Sequence, residues 1–227
     1  MRKIILDTET TGLNPVSDRI IEIACLELVN EMPTGRVFHK YFNPGDVVIP
    51  EQAENIHGLS NEYLKNYELF DNKVDEVLDF IDDSQLIIHN ASFDLAMINN
   101  ALNRMNLKPI EESSALCTVI MARKMFPGRK VNLNALCRRF GISLENRKKH
   151  DALTDCFLLS QVYLELIGGK QHKFSFGNEE LNKEVKQKKV DYSLKKTSTI
   201  SLSENEIANH QDIRNRIKNS IWNKINI

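Results

Sequence analysis

The chain has 227 residues, 41% hydrophobic and 27% charged, ordinary for a globular protein with one sizeable core. Thirty Lys and Arg against 31 Asp and Glu leave a net charge of −1. Bulk electrostatics therefore gives no pull toward nucleic acid or a membrane, and any polyanion binding must rest on a local patch or on bound metal. Cys25, Cys117, Cys137 and Cys156 form no CxxC pair, which argues against a zinc knuckle and for buried, reduced thiols in a cytoplasmic protein. The opening MRKIILDTET is too poor in apolar residues for a secretory signal, and no apolar run reaches the roughly 18 residues of a membrane span.

Residues 3–9 read as a strand rich in Ile and Leu, and RIIEIACLEL (19–28) and RVFHKYFNP (36–44) as two more. The connections carry Gly12, Asn14, Pro15, Pro33 and Gly35, and their shortness predicts an antiparallel meander. The spacing of Phe70, Val74, Val77, Leu78 and Ile81 predicts a helix over 70–83, followed by a short strand at 85–90. Residues 91–105 return to helical period, 115–126 start extended and turn helical, and 132–142 read as a helix stopped by Gly141. HDALTDCFLLSQVYLELI (150–167) is a strong helix ended by Gly168 and Gly169. A meander followed by alternating helix and strand implies an α/β fold, a mixed sheet flanked by helices.

Three domains are expected. Residues 1–169 hold the core. Residues 170–199, rich in Lys, Glu, Asn and Ser over 177–199, read as a flexible linker. Residues 200–227 regain Ile207, Ile213, Ile217, Ile221 and Trp222, enough for an amphipathic helix that docks on another chain but not for a core of its own.

The first apolar run ends in Asp7 and Glu9. Alternation along a strand projects both to one side and turns Thr8 away. Burying two carboxylates together is costly unless a cation lies between them, and hard oxygen donors suit Mg²⁺ or Mn²⁺. In IIHNASFD a strand passes into a helix, with Asn90 or Ser92 as cap and Asp94 in the first turn. In HDALTDCFLL, Asp155 faces into a helix otherwise apolar along Leu158, Leu159 and Val162, Asp151 suits its amino-terminal cap, and His150 stands at its entry. Each motif alone also suits an ordinary role as strand end or cap. Together, four carboxylates and a His at strand ends and helix starts point to two divalent ions about 3.5–4 Å apart on a phosphodiester, with a neutral His taking a proton from water.

DTETTG, HNASFD and HDALTD resemble the three motifs of the DEDD exonuclease superfamily, in its histidine branch, and they do so in order over residues 3–167. IHGLS, ARKMFPGRK, NLNALCRRFGI and the Gly-Gly after the last core helix are similar to the epsilon family of bacterial DNA polymerase III proofreading exonucleases. The resemblance implies an RNase H-like fold and 3′→5′ removal of single nucleotides at a DNA end. It implies Asp7, Glu9 and Asp155 as direct metal ligands that also face substrate, Asp94 holding metal directly or through water, and His150 as base. It implies Gln52, where the family often has Glu, and His57 as contacts to the terminal nucleotide. Cys117-Thr118 stands where the family commonly has Asp-Thr. QHKFSF (171–176) is similar to a sliding-clamp-binding motif, and residues 200–227 to the segment that holds the polymerase alpha subunit. An RNA 3′-end trimmer or oligoribonuclease of the same superfamily is the alternative, with less use for such a tail.

Overall fold

The computed structural model describes residues 1–145, 147, 149–168 and 202–216, the side chains of 214 and 215 apart. The chain divides into two units, Met1–Phe174 and Ser175–Ile227. The expected boundary at 169, the linker over 170–199 and the clamp-like stretch 171–176 lie outside the described residues.

The first unit is built on five strands in the order β3-β2-β1-β4-β5. β1 (Arg2–Thr10) pairs antiparallel with β2 (Ile20–Val29), and β2 antiparallel with β3 (Met32–Tyr41). β1 also pairs in parallel with β4 (Gln85–Ile88), and β4 in parallel with β5 (Ala115–Cys117). This is the mixed, RNase H-like α/β sheet expected from the sequence, with its meander on one side and its parallel strands on the other.

The third strand begins four residues before the expected start. Asn30 and Glu31 both take positive φ, 52° and 68°, which closes a two-residue hairpin and pairs Val29 with Met32. Pro33 and Gly35, expected in the connection, are therefore inside β3. The sheet tolerates them because β3 is an edge strand, where a missing N–H costs no ladder bond.

Helices cover both faces. Ile4 and Leu6 of β1 pack with α3 (Val74–Ile81) and α4 (Ala91–Arg104), whereas Ile5 and Ile87 pack with α6 (Leu133–Phe140) and α7 (Ala152–Leu166). The expected helix over 70–83 divides into a single 3₁₀ turn, Phe70–Asn72, and α3. α5 (Thr118–Met125) follows β5 directly, and Gly141, at φ 68°, ends α6 as expected. Two short helices escaped the sequence reading, α1 (Glu51–His57) and α2 (Asn61–Leu64). They cover the end of β2 through Ile21, Ile49, Leu59 and Leu64.

In the second unit, α8 (Glu204–Arg216) opens on a capping box. The Glu206 N–H donates to Ser203 Oγ at 3.4 Å, and the Ser203 N–H donates back to Glu206 Oε2 at 2.8 Å. Its Ile207 and Ile213 are exposed, and Ile217, Ile221 and Trp222 lie outside the described residues.

Ile87 is fully buried on a central strand against α7. Ile87→Ala should cost about 2–5 kcal/mol through lost transfer energy and a residual cavity. Urea unfolding measures this, and a loss below about 1 kcal/mol would contradict a close-packed site.

Candidate active site

Asp7, Glu9, Asp94, His150 and Asp155 all line one cleft of about 410 Å³. The cleft opens where β1 and β4 end, the usual ligand position of parallel strands. Strand alternation sends Asp7 and Glu9 toward the α7 side, following Ile5. The β1–β2 ladder shifts register between Glu9 and Thr10, as bulges near functional sites often do.

Thr8 turns the other way, and this gives it a role. Its hydroxyl donates to Asp94 Oδ1 at 2.7 Å, so the site draws on both faces of the sheet. Asp94 lies in the first turn of α4 and is 4% exposed. Asn90 precedes that helix at φ 75°, turning the chain sharply out of β4. Neither Asn90 nor Ser92 caps α4 by its side chain, contrary to the sequence expectation: the left-handed backbone at Asn90 fills that position without a side-chain bond. Asp151 does cap α7, accepting from the Thr154 N–H at 2.7 Å, which sets Asp155 in the first turn facing the cleft. The His150 N–H donates to Ile56 O at 3.1 Å, tying the entry of α7 to α1.

The sequence reading missed Arg147. Its Nε and Nη2 each reach one Asp155 oxygen at 2.5 Å, its Nη1 donates to Asn134 Oδ1 at 2.7 Å, and Nη2 donates to His150 Nδ1 at 3.0 Å. The Arg147 and Asp155 side chains are 7% and 6% exposed. Arg147 sits in the connection between α6 and α7, where neither helical nor strand period marks it out. His89 was also passed over. Its Nδ1 lies 2.9 Å from Thr118 Oγ1, and burial drives its pKa down to about 4.

The electrostatics are those of crowded acids. Burial, then repulsion from Asp94, Asp155, Glu9 and Glu22, holds the Asp7 carboxyl well above its ordinary range. Burial and repulsion from Glu22, Asp155 and Asp94 raise Glu9 to about 8, and burial raises Asp94 to about 7 against the Thr8 bond. Glu9, His150 and Asp155 each present a donor atom within 4.8 Å of the others. An oxygen-rich, mutually repelling donor set of this kind fits a hard divalent cation.

Gln52 and His57 are not in this cleft. They line an adjoining cavity of about 540 Å³ that shares Thr8, Glu9 and Phe93 with it and adds Leu13 and Ile56. His57 Nδ1 accepts from the Leu59 N–H at 3.0 Å, and its buried Nε2 has no partner. Burial, with Lys149 and His150 nearby, lowers its pKa to about 4, so the ring is neutral and carries its proton on Nε2. Gly58, next in the chain, takes φ 82°, and a Cβ there would stand 2.7 Å from Lys149 Cδ.

Residues 4–163 match the family model described as Exonuclease, which makes the chain an exonuclease. DNA polymerase III subunit epsilon of Rickettsia felis is 51% identical over 178 residues, covering 77% of each chain. The subunit of the same name from Rickettsia conorii is 42% identical and covers 96% of each. The chain belongs to this exonuclease family, among the DNA polymerase III epsilon subunits. Exonuclease X, solved in complex with 5′-overhanging duplex DNA, shares the fold, with a TM-score of 0.57 at 24% identity over 73% of this chain and 91% of that one. No helix among the described residues is long and apolar enough to cross a membrane.

The raised carboxyl groups set the pH dependence of the metal-free protein. Glu9 and Asp94 have ordinary values of 4.5 and 3.8 and folded values of about 8 and about 7. Between these limits the folded state binds more protons than the unfolded one, so stability falls as pH rises. His57 and His89, lowered from 6.5 to about 4, act in the opposite sense only below 6.5. Thermal unfolding without divalent ions should therefore show Tm falling from pH 6.5 to 8, and Mn²⁺ should reverse the trend. A metal-free Tm that rises over that window would contradict the buried-acid arrangement.

Proposed function

We propose that the chain removes single nucleotides from the 3′ ends of DNA, as the proofreading exonuclease of a replicative polymerase, by metal-dependent phosphodiester hydrolysis. The observation that carries this reading is the convergence of Asp7, Glu9, Asp94, His150 and Asp155 on one cleft, in a chain whose relatives bear the name DNA polymerase III subunit epsilon.

Asp7, Glu9 and Asp155 would hold two divalent ions, Mg²⁺ or Mn²⁺, with Asp94 joining directly or through water. Bound there, such ions offset the charge of the phosphodiester and ease the ionisation of water. Thr8 keeps the Asp94 carboxylate aimed at the cleft by its 2.7 Å hydrogen bond. His150, half-exposed and with its pKa lowered by burial and then by Arg147, is neutral at physiological pH and would take the proton of the attacking water on a ring nitrogen not held by Arg147. Attack on phosphorus breaks the bond to the 3′ oxygen of the preceding nucleotide, which leaves and is protonated from solvent. His150 then gives its proton to bulk water, to which its exposed edge has access.

The adjoining cavity suits the terminal nucleoside. Leu13, Ile56 and Phe93 offer apolar surface to a base or sugar, and Gln52 and the His57 Nε2–H offer polar contacts. No cluster of base-reading side chains is needed, because a mismatched end frays and reaches a single-strand site more often than a paired one. Residues 171–176 would engage the sliding clamp and residues 200–227, which include α8, the polymerase alpha subunit. Two such docking points would hold the exonuclease at high effective concentration beside the primer.

Release of single nucleotides from 3′-labelled primers tests the reading, with paired or mismatched ends, as DNA or RNA, in Mg²⁺ and then in chelator. Faster, Mg²⁺-dependent release from mismatched DNA is the expected result, and preference for RNA would move the chain to 3′-end trimming. Asp7→Ala with Glu9→Ala should abolish release. His150→Ala should slow it by roughly 10²–10⁴-fold, the usual loss for a general base, and equal rates across pH 6 to 9 in His150→Ala and the parent would remove His150 from that role.

A further inference from the structure

Glu9, His150 and Asp155 offer donor atoms close enough for one cation to touch all three. Arg147 is already bound to two of them. Its fork holds both Asp155 oxygens at 2.5 Å and its Nη2 holds His150 Nδ1 at 3.0 Å. A divalent ion placed on the same atoms would lie against a buried guanidinium, and two cations on one carboxylate repel. The guanidinium and the ion therefore compete for Asp155.

The contact to His150 points the same way. A guanidinium only donates, so Nδ1 must accept, and the neutral ring then carries its proton on Nε2. With both nitrogens so engaged the ring has no free lone pair for a proton from water. Departure of Arg147 would free Asp155 for the ion and Nδ1 for the proton together. The backbone permits it: Arg147 belongs to no helix or strand, and its N–H is held by one turn bond to Leu144 O at 3.0 Å.

We propose that Arg147 is an internal counter-cation, which clasps Asp155 and His150 while divalent ions are absent and must release Asp155 for an ion to bind. Arg147 is thus a positioning residue. This rests on reading the cleft as a divalent-ion site, as above.

Mn²⁺ binding to the full chain, followed by calorimetry, tests the proposal against Arg147→Gln. If the open arrangement is populated at a tenth or less, removing the clasp should tighten Mn²⁺ binding by about tenfold or more. The metal-free variant should also melt below the parent, and saturating Mn²⁺ should raise its Tm by more than it raises the parent's. Unchanged or weaker Mn²⁺ binding in Arg147→Gln would overturn the proposal and make Arg147 a fixed support of Asp155. Binding of no Mn²⁺ by parent or variant would overturn the metal reading and this one with it. Should Arg147→Gln fail to fold, the parent decides: the Arg147 Nε–H resonance should shift as Mg²⁺ is added, and a resonance that stays in place while Mg²⁺ binds elsewhere in the cleft would overturn the clasp.

Discussion

The structure depends on charge that has nowhere to go. β2 pairs with β1 past both acids, Asp7 opposite Ala24 and Glu9 opposite Glu22, which fixes the backbone that carries them. Glu9 stands opposite Glu22, itself 1% exposed, so the acidity extends across the strand pair. His39 Nε2 meets Glu22 at 2.7 Å, Thr8 donates to Asp94, and Arg147 clasps Asp155. For Asp7 and Glu9 the described side chains supply no such partner, and every major influence on Asp7 disfavours its ionised form. A buried acid left in that condition costs several kcal/mol unless it stays protonated or a cation arrives. The site is a place where folding leaves a deficit of positive charge, and a phosphodiester would bring only more negative charge. Cations bound between them would reconcile the two.

The sheet explains how so many acids meet without one crowded segment. Alternation sends Asp7 and Glu9 toward α7 and Thr8 toward α4. β4 ends at Ile88, beside Leu6, while β1 runs on to Thr10, so the first turn of α4 starts level with Asp7 and Glu9 and meets the first turn of α7 there from the opposite face. Each helix then needs only one acid in its first turn, a position its dipole already favours. The elements outside this frame have a supporting part. α1 fixes the entry of α7 through the bond from His150 to Ile56, and Gly58 leaves room for Lys149 beside it.

Much of this was legible in the sequence because it rests on period and punctuation. The apolar run before Asp7, the glycine after α6 and the acid set into the apolar stripe of α7 are local signals, and the structure gathers the residues they mark. The hairpin was less legible, since Asn30-Glu31 is not a favoured dipeptide for two positive φ values, and Pro33 looked like a break although an edge strand accepts it. α1 and α2 are too short for a helical period to emerge. The cap of α4 was misread because Asn90 uses its backbone, which sequence does not display. Arg147 was invisible for a different reason. Its importance comes from meeting Asn134, His150 and Asp155 in space, and one arginine among the basic residues that precede His150 carries no mark of that.

A buried ion pair is often taken as a fixed staple, and its energetics here favour the opposite view. Desolvating a guanidinium and a carboxylate consumes most of what their attraction returns, so the Arg147–Asp155 pair stabilises the fold by little even at 2.5 Å. Its effect is large only against the alternative of leaving Asp155 charged and alone. A divalent ion held there would remove that alternative, because it would bring twice the charge to the same oxygens and would also meet Asp7 and Glu9, which Arg147 does not reach by any described hydrogen bond. The exchange therefore trades one neutralised acid for several. In the proposed exchange Arg147 would give up a contact of small net worth, on a side chain long enough to keep its charge hydrated once released. A lysine in its place would supply the charge as a point, without the planar fork that meets both Asp155 oxygens. The planar guanidinium suits a clasp that must be specific while closed and still cheap to open.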